Sequence, residues 1–76
     1  MGLEELSEII ADVLDTDAQE ITEDTRFVED LGADSLDRFQ IVSEVEDKLR
    51  IQIPEEALEE IQTVGDALSA IRMASE

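Results

Sequence analysis

Aliphatic residues recur at three- and four-residue spacing in three separate stretches of this chain, and that period restricts it to a helical fold. Leu3, Leu6, Ile9, Ile10, Val13 and Leu14 form one stripe, with Glu4, Glu5, Glu8 and Asp12 on the other side. The spacing predicts a helix over 3–14, whose early acids complement the helix dipole. Leu36, Phe39, Val42, Val45 and Leu49 form a second stripe, widened by Ile41, and predict a helix over 35–49. Pro54 suits the start of a short helix over 55–61, with Leu58 and Ile61 turned inward. Thr63-Val64-Gly65-Asp66 resembles a capping box with Asp in place of the usual Glu. A last helix therefore starts at Thr63, buries Val64, Ala67, Leu68 and Ile71, and is expected to fray after Met73. Apolar stripes need a common core. The expected fold class is all-α, a small antiparallel-type bundle of three main helices plus one short helix, in a single domain over 1–76.

Two segments fall outside the helical period. Residues 15–34 carry isolated Ile21, Phe27, Val28 and Leu31 among Thr, Asp and Glu. A connection of about twenty residues is long for a compact domain. These apolar residues are expected to pin it across the core, around a short helical turn. Arg50-Ile51-Gln52-Ile53 alternates like a strand but has nothing to pair with, so it reads as an extended loop.

Charge decides which partners the surface suits. Twenty-two acids stand against five bases, a net charge of −17 over 76 residues. Such a field repels nucleic acid and anionic membrane surfaces, and suits partners with basic patches. High charge is also a signature of disorder, but an apolar fraction of 42% with clear periodicity argues for a core. There is no cysteine and no histidine, which removes disulfides, thiolate metal sites, Cys nucleophiles and the usual general base. No catalytic residue is assigned. No apolar run reaches membrane-spanning length and no signal segment precedes the acidic start, so a cytoplasmic location is expected.

Chemistry concentrates in Asp30-Leu31-Gly32-Ala33-Asp34-Ser35-Leu36-Asp37. Gly32 permits tight geometry on the approach. Ser35 falls where loop becomes helix, near free backbone N–H groups that favour an attached phosphate. Taken alone, Ser and Asp at a helix start are ordinary caps. The wider pattern resembles the attachment motif of acyl carrier proteins, with Ser35 at the place of their modified serine. Phe27, Ile53-Pro54-Glu55-Glu56 and Ile61-Gln62-Thr63-Val64-Gly65-Asp66-Ala67 resemble further signatures of that family, at its spacing over almost the whole chain.

The resemblance implies a carrier, not an enzyme. A phosphopantetheinyl transferase moves 4′-phosphopantetheine from coenzyme A to Ser35, flanked by Asp34 and Leu36. The terminal thiol of the arm holds the acyl group, which suits a chain without cysteine. Phe27, Leu36, Phe39, Ile41, Val45, Ile53, Ile61, Ala67 and Leu68 are expected around an apolar cleft that shelters the acyl chain, at about 0.8 kcal/mol per buried CH₂. Most of these residues also serve as ordinary core. Asp34, Asp37, Arg38, Gln40, Glu46, Asp47, Glu55 and Glu59 fall at positions read by acyl transferases, ketoacyl synthases and related enzymes with basic patches. Arg38 and Gln40 depart from the neutral residue and acid common in fatty-acid carriers, and Ser43-Glu44 replaces a common Met-Ala pair.

The expected function is therefore carriage of acyl thioesters in a dissociated fatty acid synthesis pathway, as a monomer. The dissociated pathway rests on a stand-alone chain beginning at Met1. The rival is a specialised carrier for polyketide, lipid-modifying or aminoacyl transfer chemistry, and beyond it an unmodified interaction domain. An EF-hand calcium sensor is excluded. Asp15-Thr16-Asp17 begins like an EF-hand loop, but its sixth position is Glu20 and its twelfth Arg26. No metal ligand set is assigned.

Overall fold

The computed structural model describes residues 1–75. It contains α1 (Leu3–Leu14), a 3₁₀ turn (Ala18–Glu20), α2 (Ser35–Leu49), α3 (Glu55–Glu60) and α4 (Val64–Ser75). Among the described residues there is no strand, only one isolated antiparallel bridge between Arg26 and Thr63. The fold is the expected helical bundle.

α1 packs against α2 and α4, and α3 packs against α4. The core is aliphatic, with Phe27 as its one buried aromatic. Leu6, Ile10, Val45 and Val64 are fully buried. Truncating Leu6 or Ile10 to alanine costs about 2–5 kcal/mol in such a setting. α1 ends at Asp15 and α2 at Arg50, both left-handed, with cap N–H groups donating to Ala11 and Glu46 carbonyls.

The long connection is held by backbone hydrogen bonds to the α3–α4 junction. Phe27 N–H donates to Gln62 O, Val64 N–H to Thr25 O and Gly65 N–H to Glu23 O, at 2.8–3.0 Å. Ile21 and Phe27 enter the core and Leu31 is half-buried, but Val28 is exposed. The turn around Arg26 and Asp30 points Val28 outward. Arg26 N–H donates to the Asp30 carboxylate, and Asp30 and Leu31 N–H groups return to Arg26 O.

Three expectations are corrected. α3 stops at Glu60, and Ile61 is extended and buried. α4 stays helical past Met73, and Glu76, the last residue of the tail expected to fray, lies outside the described residues. The helix runs to Ser75, whose hydroxyl donates to Ile71 O at 2.8 Å. Leu36 and Phe39 do not lie on the buried stripe of α2; they are 77% and 66% exposed. The inward face of α2 is Ile41, Val42, Val45 and Leu49, with half-buried Arg38 at the same helical spacing nearer its start.

Candidate functional site

The start of α2 is held by a reciprocal pair of aspartates. Asp37 N–H donates to Asp34 Oδ1 at 2.8 Å, and Asp34 N–H donates to Asp37 Oδ2 at 3.3 Å. This capping box occupies two of the donors that a helix N-terminus leaves free. Asp34 is thus the cap, and Ser35 is the first helical residue. Its hydroxyl is exposed and has no hydrogen-bond partner among the described residues.

The approach to Ser35 is equally defined. Gly32 is left-handed, with φ 64°, and its N–H donates to Val28 O. Ala33 is buried, and its N–H donates to Phe27 O at 2.8 Å. Phe27 therefore anchors both the core and the turn that delivers Asp34 and Ser35.

Ser35 borders an apolar cavity of about 400 Å³, open to solvent. Of the residues expected around a cleft, Phe27, Phe39, Ile41, Val45, Ile53, Ile61 and Ala67 line it. Leu36 and Leu68 do not. Leu36 projects into solvent, and Leu68 is buried in the core away from the cavity. The structure adds Leu6, Val42, Leu58 and Ile71 to the wall. Their helical stripes marked them as core, and no sequence signal separates cavity wall from filled core.

The residues expected on the recognition face divide. Gln40, Asp47, Glu55 and Glu59 are exposed, and Glu55 and Glu59 stand at the rim of the cavity. Asp34 and Asp37 cap each other. Glu46 faces inward and accepts a hydrogen bond from Ile53 N–H at 2.7 Å, fixing the loop that places Ile53 on the cavity wall. Arg38, expected on the outer recognition face, instead folds onto the cavity wall, half-buried, with Nη1 3.4 Å from Ile61 O. Backbone N–H groups of Gln62 and then Thr63 hold the Asp66 carboxyl below its ordinary range, against a smaller opposing effect of burial. Asp66 N–H donates back to Thr63 Oγ1, completing the cap at the start of α4.

Residues 4–71 match the family described as "Phosphopantetheine attachment site". Acyl carrier proteins from Phenylobacterium zucineum and Caulobacter vibrioides are each 46% identical to this chain. The first alignment covers 92% of this chain and 89% of the relative, the second 91% and 88%. The chain belongs to the acyl carrier protein family. A Mycobacterium tuberculosis structure assigned as an acyl carrier protein superposes with a TM-score of 0.86 at 37% identity, covering 95% of this chain and 97% of that one. The acyl carrier protein from Enterococcus faecalis gives 0.79 at 34% identity, covering 96% and 92%.

As a family member the chain is a carrier rather than a catalyst, and it bears a covalently attached phosphopantetheine. The residues at the start of α2 fit such a group. An unpartnered exposed hydroxyl sits beside an open apolar cavity, and the first two N–H groups of α2 remain outside the capping box. Among the described residues no helix is long and apolar enough to cross a membrane.

Proposed function

We propose that Ser35 is the attachment point, and that the chain carries acyl groups on its 4′-phosphopantetheine arm between enzymes of fatty acid synthesis. The observation that carries this reading is the exposed Ser35 hydroxyl, freed from capping by Asp34, at the edge of the 400 Å³ apolar cavity. The thiol of the arm holds the acyl group as a thioester. The protein's own residues do the rest. Free N–H groups at the start of α2 receive the phosphate, and the aliphatic wall excludes water from the acyl chain. Each buried CH₂ contributes about 0.8 kcal/mol. Exposed Gln40, Asp47, Glu55 and Glu59 face partner enzymes, in a field of −17 that speeds encounter without tight binding. In this reading the chain is one monomeric carrier domain in the cytoplasm, loaded by a phosphopantetheinyl transferase and served by acyl transferases and ketoacyl synthases. The inward Arg38 favours one second reading, a carrier specialised for a secondary pathway.

Intact mass tests the assignment. The chain is incubated with coenzyme A, magnesium and a broad-specificity phosphopantetheinyl transferase, then with a cognate one, beside Ser35→Ala. A gain of one phosphopantetheine on the native chain and none on the variant is expected. A folded native chain that gains nothing from either transferase, or a variant that still gains, overturns it.

A further inference from the structure

α2 turns to solvent a face that the charge of the chain does not explain. At 3.6 residues per turn, the side opposite buried Ile41 and Val45 carries Leu36, Phe39, Gln40, Ser43 and Asp47. Asp47 is its one charge, about 18 Å along the axis from Ser35. Glu44 and Lys48 on its flank are opposite in sign. Asp34 and Asp37 bind each other's N–H groups at the positive end of the α2 dipole. In a chain of −17, the outer face of α2 is therefore nearly neutral. The acids stand beside it, on α3. Glu55, Glu56, Glu59 and Glu60 are all exposed, and that helix holds no cation. Glu55 and Glu59 share the cavity rim with Phe39.

Apolar area takes the place of charge. A single exposed apolar residue is ordinary. Here one of the chain's two aromatic residues stands in water, a turn from an exposed leucine and next to the attachment hydroxyl. Aromatic side chains are enriched at protein interfaces, where charged ones are depleted from the centre. Ser35 decides the occupant. An enzyme that works on its hydroxyl covers the first turns of α2, and a footprint of about 800 Å² on each partner reaches past Phe39. Two copies of a chain at −17 repel each other, and an anionic membrane repels it too.

We propose that the outer face of α2 docks the enzymes that act at Ser35 by apolar contact, with Phe39 as the specificity-determining residue and Leu36 beside it. The partner offers an apolar pocket next to its active-site mouth, and its cations meet α3 rather than the length of α2. The inference rests on the carrier reading with attachment at Ser35.

The test is steady-state transfer of phosphopantetheine to the apo chain by a cognate transferase. The apo chain has no arm, so no effect comes from an arm lying on this face. A native chain that gains no mass ends the carrier reading and this inference with it; a native chain that loads puts only the docking face at stake. Phe39→Ser is expected to raise KM about tenfold or more with kcat nearly unchanged, and Phe39→Leu to recover most of the loss. Leu36 lies outside the cavity wall, and Leu36→Ser is expected to raise KM about three- to tenfold. This variant decides the matter if Phe39→Ser does not fold. Met73→Ser, at an equally exposed apolar residue of α4, leaves KM unchanged. Glu55→Gln with Glu59→Gln raises KM and flattens its salt dependence more than Asp47→Asn does. Values of KM within about twofold of native for both serine variants overturn the proposal. So does a loss from Asp47→Asn as large as that from Phe39→Ser, which makes the face one read by charge. A native dimer in sedimentation that Phe39→Ser dissolves overturns it as well, because the occupant is then a second copy.

Discussion

Removing the Glu46 carboxylate in two ways separates a structural role from a recognition role. Glu46→Ala and Glu46→Gln each take one negative charge from a chain at −17, so relief of self-repulsion is common to both and cancels in their difference. They differ in the acceptor. Glu46 Oε2 lies 2.7 Å from the N–H of Ile53, a buried residue on the cavity wall. Alanine leaves that N–H unpaired, and hydrogen bonds to charged groups contribute about 1.5–3 kcal/mol. Glutamine keeps a carbonyl oxygen at similar reach and loses only the charge assistance, about 1 kcal/mol. Alanine should therefore fall below glutamine by about 0.5–2 kcal/mol. At about 4–8 °C per kcal/mol for a domain of this size, the melting points should differ by roughly 2–16 °C. Urea unfolding followed by far-ultraviolet circular dichroism, at fixed salt and with m-values compared, gives the difference directly. Equal stabilities for the two variants would refute the structural role and return Glu46 to the recognition face.

Two further outcomes follow from the caps and turns. The folded pKa of Asp66 is lowered, so the stability its carboxylate contributes is fully present above the ordinary aspartate value of about 3.9 and lost as pH falls through the folded value. Asp66→Asn should lower stability at neutral pH, and the gap to the native chain should close on acidification; a gap unchanged at about pH 3 in denaturant titrations sinks this account. Gly32→Ala should cost about 1–2 kcal/mol, because φ is 64° while no atom lies within 4 Å of the added Cβ, so the penalty is backbone strain alone. An alanine variant as stable as the native chain in the same titration would remove that strain from the approach to Ser35.

Much of this protein was legible in its residues. The ranges of α1 and α2 follow from apolar period, a local property of the chain, and the structure has them at Leu3–Leu14 and Ser35–Leu49. The Thr63–Asp66 cap was legible for the same reason, since its partners are three residues apart. The eight residues around Ser35 carried the family. The rotation of α2 about its axis was not legible. Its apolar residues at 36, 39, 41, 42, 45 and 49 span more than one face, and only packing on α1 decides that Ile41 and Val45 are buried while Leu36 and Phe39 are exposed. The same rotation turns Arg38 into the cavity. Glu46 needed tertiary information too, because its acceptor role depends on a loop seven residues away. The sequence by itself determined which segments are helical and where the chemistry starts, because period and capping act within a turn or two of chain. Which faces meet, which gap stays open and which charges turn inward are properties of several helices at once, and only the tertiary structure decided them.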